Sequence, residues 1–184
     1  GYIELADGSR RTADLIIGAD GVYSQVRDTI PLSGSRTELP YGAALSLAPG
    51  IPKPDDFDNG GVSGEIWTTM RTRFLFFATL SPEETYLAFM TATVDAEQHG
   101  RIIRRADTGR ADLVELDVES WIRSFPSLAH MLSRMETPVW SPFLQIELRR
   151  WHEGKVVVIG DAAHGMAPAL GMGGTTALMD AVSL

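Results

Sequence analysis

The 184 residues include no cysteine, which excludes disulfides, thiolate metal sites and cysteine nucleophiles. That absence suits a cytoplasmic protein. Cations are scarce as well: 16 Lys and Arg stand against 24 Asp and Glu, for a formal net charge of −8. A nucleic-acid partner would call for the opposite surplus, because phosphates are neutralised by Lys and Arg. Long apolar runs are missing too. Stretches such as Phe74 to Leu80 fall far short of the ~20 residues that cross a bilayer as a helix. What is present is a globular balance, 44% apolar and 22% charged, which is enough to build a packed core.

Turn residues and hydrophobic period organise the chain. Gly1 to Leu5 and Ala13 to Ile17 are short apolar runs around Asp7-Gly8, a hairpin signal. Asp14 to Gly18 is almost continuously apolar, the pattern of a strand buried on both faces. It runs into the turn Ala19-Asp20-Gly21, and Ser24 to Ile30 is expected to be a short helix. Pro31 to Pro40 reads as a linker. Beyond it the grammar is that of an antiparallel sheet, with strands expected at Gly42 to Ala48, Gly64 to Met70, Phe74 to Leu80 and Thr85 to Thr93. A loop, Pro49 to Gly61, separates the first two. Gln98 to Arg110 is polar and basic, and is expected to be a loop or short helix. Between Asp117 and Met135 the apolar spacing is helical, with an interruption or restart at Pro126. Phe143 to Leu148 and Lys155 to Ile159 are further strands.

The last strand carries the chemistry. Val156, Val157, Val158 and Ile159 are consecutive β-branched residues, the mark of a buried and parallel strand. Its carboxyl end delivers Asp161 to the rim, where open α/β sheets bind ligands. A carboxylate there accepts hydrogen bonds from sugar or ribityl hydroxyls, and the small Ala162 and Ala163 let a ligand approach the backbone. Further on, Gly171, Gly173 and Gly174 precede the helical pattern Thr176 to Leu184. A glycine-rich helix start leaves its first N–H groups sterically open, with about half a positive charge from the helix dipole.

The run GDAAHGMAPALGMGGTTALMDA (residues 160–181) resembles the second FAD motif of the flavoprotein aromatic hydroxylases, the para-hydroxybenzoate hydroxylase-like family. That motif is GDAAH, then Pro, then G-x-G-x-N, then Asp-Ala. Asp14 to Gly21, followed by Ser24 and Arg27, resembles the Asp-Gly motif of the same family. The resemblance implies an α/β fold of mixed α+β character. Residues 1–30 and 151–184 would be parts of a Rossmann-like FAD domain, and residues 31–150 a substrate domain on a mainly antiparallel sheet. It implies FAD as cofactor and NAD(P)H as a transient reductant. O2 would be captured at flavin C4a, and one oxygen atom passed to a small, aromatic substrate. Related flavoenzyme outcomes stay open beside this one: reduction, halogenation, epoxidation, Baeyer–Villiger oxidation, or a non-catalytic relative of the fold.

By the same resemblance Asp161 would hold the ribityl chain. Gly171, Met172, Gly173, Gly174 and Thr175 would lie along the pyrimidine edge, with Pro168 near the reactive face. Asp20 and Arg27 would support the pyrophosphate region. Three positions depart from the family pattern: Ala167 stands where a second proline is common, Met172 where glutamine is frequent, and Thr175 where asparagine is usual. A threonine hydroxyl can bond or cap the helix start, but it lacks an amide's paired donor and acceptor. The chain begins in a strand-like run and ends within a helical one, and has no strand-linked G-x-G-x-x-G. It is therefore expected to be an internal piece lacking the first βαβ unit, and a weak FAD binder alone.

Residue chemistry leaves plainer readings open beside these. Asp161 and Asp20 could each stabilise their own turn, and Arg27 could be an ordinary surface arginine. His164 is a candidate acid–base residue by its type, yet a structural role holding its loop is favoured. His99, His130 and His152 show no metal-ligand spacing. Trp67, Trp121, Trp140, Trp151, Phe74, Phe76 and Phe77 could line a substrate pocket or form core. Arg101, Arg104 and Arg105 read as a solvated face.

Overall fold

The computed structural model describes residues 1–50, 63–67, 73–98, 100–103, 112–168 and 171–184. The expected loop beyond Gly50, His99, Arg104 and Arg105, and the side chain of Trp67 lie outside the described parts. The chain forms two compact units, residues 1–39 with 143–184 and residues 40–142. No helix among the described residues is long and apolar enough to cross a membrane.

The first unit opens with a hairpin, β1 (Tyr2–Glu4) against β2 (Arg10–Thr12). Asp7 makes the turn by accepting the Ser9 amide at 2.8 Å. The sequence places the second arm at Ala13 to Ile17; the structure corrects this. The hydrophilic Arg10–Thr12 pairs instead, tied by the Arg10–Glu4 ion pair (2.9 Å). The apolar run is left for β3 (Ile16–Gly18), which pairs in parallel with β12 (Val156–Val158). A second correction concerns burial. Ile16 and Gly18 are buried but Ile17 is 48% exposed, and of the three valines only Val158 is fully buried. These strands are covered on one face here, not two. α1 (Gln25–Asp28) follows β3, with Ser24 as N-cap.

β4 (Gly34–Pro49) is a single 16-residue strand, so most of the expected linker is strand. Its outer residues are exposed, which is why their hydrophilic composition reads as loop. The second unit is built on the sheet order β5-β6-β7-β4-β10-β9-β8. The members not yet placed are β5 (Ser63–Trp67), β6 (Arg73–Ser81), β7 (Glu84–Ala92), β8 (Gly100–Ile103), β9 (Asp112–Leu116) and β10 (Val139–Leu148). The pairs β5–β6, β6–β7, β7–β4, β10–β9 and β9–β8 are antiparallel. Gly100–Ile103, read from sequence as loop or helix, is an edge strand; Arg101 is exposed and bonded across to Glu115.

Period-two alternation sends Leu75, Phe77, Leu87 and Phe89 to one face of the sheet, where all four are fully buried. α2 (Thr93–Gln98) follows β7 and buries Ala96 in the same core. α3 (Val118–Ser124), a 3-10 turn (Pro126–Leu128) and α4 (Ala129–Leu132) close over it. Asp117 caps α3 by accepting the Ser120 amide at 3.0 Å. Pro126 opens the 3-10 turn where its missing N–H costs nothing. Trp121 stands edge-on to Phe89 (centroids 4.9 Å apart) and stacks on Phe125 (5.7 Å). Each such side chain contributes about 1.5–3 kcal/mol by leaving water. Trp140, Phe77 and Trp121 are therefore core, while Trp151 is exposed.

One charge is buried in this layer. Arg73 reaches Asp95 with two nitrogens (3.1 and 3.3 Å), donates to Ser120 Oγ at 2.8 Å and lies 4.8 Å over the Trp121 ring. The fork geometry and the extra donor–acceptor pairs offset the cost of burying the guanidinium. β11 (His152–Glu153) completes the small sheet of the first unit in the order β11-β12-β3. α5 (Asp161–His164) and α6 (Gly173–Ser183) finish the chain.

Candidate functional site

Parallel pairing of β3 and β12 puts Val158 opposite Gly18, so both chains leave the sheet side by side at their carboxyl ends. Glycine is needed at position 18, because a Cβ there would meet Val26 Cγ1 at 2.8 Å and Val158 Cγ1 at 3.0 Å. Past this point the two chains and the start of α6 enclose a cavity of about 330 Å³. Ala19 and Gly21 come from the first motif; Ile159, Gly160 and Asp161 come from the second. Gly173, Gly174 and Ala177 come from α6.

The backbone makes the cavity's shape. Gly160 has φ +58° and N-caps α5, a conformation that a side chain would strain. A Cβ on it would stand 3.2 Å from Ala177 Cβ, so the turn and α6 approach closely there. Asp161 is exposed, and among the described residues its carboxylate has no hydrogen-bond partner. Opposite it, Met172 caps α6 without a side-chain bond. The first intrahelical bond runs from Thr176 N to Met172 O at 2.9 Å. The amides of Gly173, Gly174 and Thr175 therefore have no acceptor among the described residues. A Cβ at Gly174 would meet nothing within 4 Å, and one at Gly173 only Asp161 Oδ1 at 3.9 Å. Counting the described residues, the cavity thus presents an unpartnered acceptor on one wall, and unpartnered donors with the positive end of a helix dipole on the other.

Of the sequence-derived candidates, Asp161, Gly173 and Gly174 meet on this cavity. Gly171, Met172 and Thr175 flank it without lining it. Thr175 is the third residue of α6 and caps nothing among the described residues; the neighbouring Thr176 hydroxyl bonds back to the Met172 and Gly173 carbonyls and caps nothing either. Pro168 is exposed, and its carbonyl accepts the Gly171 amide at 2.8 Å, closing the turn before α6.

Asp20 and Arg27 do not line the cavity. Both Asp20 oxygens are engaged: Oδ1 accepts from Ser24 Oγ, and Oδ2 accepts the amides of Gln25 (2.8 Å) and Val26 (3.1 Å). Partial burial works against this charge, but the bonds from Ser24 and the α1 amides outweigh it and hold the carboxyl below its ordinary value. The surface reading of Arg27 is overturned, since it is only 6% exposed. Nη1 donates to the Ala162 carbonyl at 3.1 Å and Nη2 to the Val22 carbonyl at 3.0 Å. One guanidinium thereby joins the two motifs across most of the sequence.

His164 holds its loop as the plainer reading expects. Its Nε2 lies 2.6 Å from Asp180 Oδ2, and the same oxygen accepts the Gly160 amide at 2.8 Å. Asp180 went unassigned in the sequence, as did Ala19, Gly21, Ile159, Gly160 and Ala177. A signal existed for Ala177, which stands one helical turn after Gly173 and shares its face.

The donor set matches part of a flavin. Ribityl hydroxyls suit the free Asp161 carboxylate, and the electron-rich pyrimidine edge suits the open amides of α6, so the residues fit that part of FAD. A cavity of about 330 Å³ receives only part of so large a molecule. Comparison with known proteins agrees. The family model described as "FAD binding domain" matches residues 4–184. The chain is 33% identical over 192 residues to a 2-heptyl-3-hydroxy-4(1H)-quinolone synthase of Mycobacteroides abscessus, covering 100% of this chain and 46% of that protein. It is 27% identical over 189 residues to 6-hydroxynicotinate 3-monooxygenase of Pseudomonas fluorescens, covering 99% and 46%. A solved structure of 2-methyl-3-hydroxypyridine-5-carboxylic acid oxygenase superposes with a TM-score of 0.78 at 29% identity, over 98% of this chain and 46% of that one. The chain spans about half the length of the relatives it matches. It belongs to the FAD binding domain family, among the aromatic-hydroxylase-like flavoproteins.

Proposed function

We propose that the protein carrying this chain is an FAD-dependent, NAD(P)H-using monooxygenase that transfers one oxygen atom of O2 to a small aromatic substrate. One observation carries the reading: a free carboxylate, Asp161, and an open helix start, Gly173–Gly174, share a single cavity. Bound FAD supplies the redox and oxygen chemistry, and the protein supplies position, dryness and electrostatics. Asp161 accepts from the ribityl hydroxyls. The amides at the start of α6, aligned by Gly171 and Met172 before it and Thr175 within it, meet the pyrimidine edge. Negative charge gathered there on reduction is stabilised by the helix dipole. Pro168, exposed just ahead of the turn, flanks the reactive face. Asp20 and Arg27 keep the frame rigid and do not touch the ring.

The second unit is proposed to supply the substrate wall. Its sheet turns Leu75, Phe77, Leu87 and Phe89 into the core. The alternate residues Phe76, Tyr86 and Met90 remain half-buried on the opposite face. Phe76 and Tyr86 meet edge-on with centroids 6.4 Å apart, and burial pushes the Tyr86 phenol up from its ordinary pKa. An apolar, aromatic wall suits an aromatic ring. The compared proteins are named for hydroxylated nitrogen heterocycles, which makes that class the first to assay. The cytoplasm, where NAD(P)H is supplied, is the proposed compartment.

In the full-length protein, Asp161→Ala should purify with markedly less flavin while unfolding at nearly the wild-type temperature, since the side chain is exposed and has no partner among the described residues. Wild-type flavin content in that variant would remove the assigned role. Assay of NAD(P)H consumption alongside product mass separates the outcomes. A product heavier by one oxygen atom is expected. Reductant consumption that ends only in H2O2, or in a halogenated or merely reduced product, would replace the monooxygenase reading.

A further inference from the structure

Asp180 stands towards the C-terminal end of α6, where the helix dipole disfavours a carboxylate. Partial burial disfavours the charge as well. The Gly160 amide and His164, both bonded to Oδ2, outweigh these effects and hold the carboxyl below its ordinary value. One oxygen therefore ties three elements together: the turn at Gly160, the end of α5 at His164, and α6 itself. Two of them bear directly on the cavity, because Gly160 and Asp161 form one wall while Gly173, Gly174 and Ala177 form the other.

His164 adds a constraint of its own. Its Nδ1 is buried and has no hydrogen-bond partner among the described residues, and the ring stands edge-on to Trp151 with centroids 6.4 Å apart. A hydrogen on Nδ1 would be a buried donor without an acceptor, whereas a bare lone pair there costs less. The hydrogen belongs on Nε2, where it meets Asp180 Oδ2.

We propose that Asp180 and His164 are the positioning residues of the cavity: the neutral Nε2–H imidazole and the Gly160 amide aim one Asp180 oxygen, and so fix Asp161 relative to the open start of α6. Neither side chain touches the ligand. The inference rests on the reading of this cavity as the flavin site and adds the residues that set its width.

The test uses the full-length protein, with apoprotein reconstituted by FAD and followed through flavin fluorescence and the visible absorption band. Asp180→Asn should weaken FAD binding by roughly tenfold, the scale of one charge-assisted hydrogen bond, and shift the flavin band. Apoprotein circular dichroism should change little. His164→Gln, whose amide can still donate to Asp180, should stay close to wild type, whereas His164→Leu should behave like Asp180→Asn. Wild-type affinity and spectrum in Asp180→Asn, or equal behaviour of the two His164 variants, would overturn the proposal. If Asp161→Ala weakens binding and Asp180→Asn does not, positioning alone fails; if neither variant matters, the flavin reading fails with it. Should Asp180→Asn not fold, the ring nitrogen shifts of His164 in wild-type protein decide at neutral pH. Hydrogen on Nε2 with bare Nδ1 supports the proposal, and the reverse tautomer or rapid averaging sinks it.

Discussion

In residues 40–142, Leu75, Phe77, Leu87 and Phe89 close on Trp121, Leu128 and Met131 in one buried cluster. In residues 1–39 and 143–184, the buried cluster consists of Val158, Ala162 and Ala163, with Val26, Ile30, Leu32 and Leu148 packed against it. The first unit makes up for its thin core with directed bonds. Arg27 spans two carbonyls, Asp20 accepts the first two amides of α1, and Asp180 gathers an amide and an imidazole. Side-chain packing holds the sheet of residues 40–142. Polar ties hold the turns of the other unit, and these leave small residues and accessible backbone groups around the cavity.

Substitutions at three positions would break or sharpen that contrast. Trp121→Ala removes the centre of the larger core and should cost about 3–5 kcal/mol, measured as a fall in urea midpoint; a loss below 1 kcal/mol would mean that the cluster repacks freely. Arg27→Ala leaves the Ala162 and Val22 carbonyls without their donor, and should cost about 1–3 kcal/mol. Arg27→Lys should recover little, because one ammonium cannot reproduce the fork; full rescue by lysine would show that charge alone is at work. Asp20→Ala should cost about 1 kcal/mol, as the loss of a helix cap does, and its pH dependence carries a sign. A carboxyl held below its ordinary 3.8 stabilises the fold fully above that value. The gap between wild type and variant should therefore close as the pH falls through that value and below. A gap that persists in strong acid would contradict the charged cap.

The legible parts of the sequence were those in which one local rule decides. Alternation fixed the strands around Phe74 and Thr85, and Pro126 marked the helix restart at its true place. The consecutive valines before Asp161 declared a parallel strand. Elsewhere, local composition and tertiary role diverge. Gly34 to Pro40 is hydrophilic because it is an exposed strand end, and Gly100–Ile103 because it is an edge strand. Arg10–Thr12 outcompetes the apolar Ala13 to Ile17 for the hairpin because the latter is needed by Val156–Val158. The site behaves the same way. Asp161 and the glycines at the start of α6 are readable as a motif. The partnerships of Asp180 with Gly160, and of Arg27 with Ala162, exist only once distant segments are brought together.

The pairing of Val156 with Ile16 also bears on the order of events as the chain is made. Closing a loop that long is entropically slow, and the entire second unit emerges from the ribosome before β12 exists. Residues 40–142, whose strands β6 and β7 are joined by a tight turn, can collapse meanwhile and shorten the effective separation. The unit that contains Asp161 is then the last part to form. Pulse-labelled hydrogen exchange during refolding should protect the amides of Leu75 and Phe89 before those of Ile16 and Val158. Until that step the nascent protein holds a finished larger core while the Asp161 cavity is still unformed, so anything that binds there can act only on the last stage of maturation.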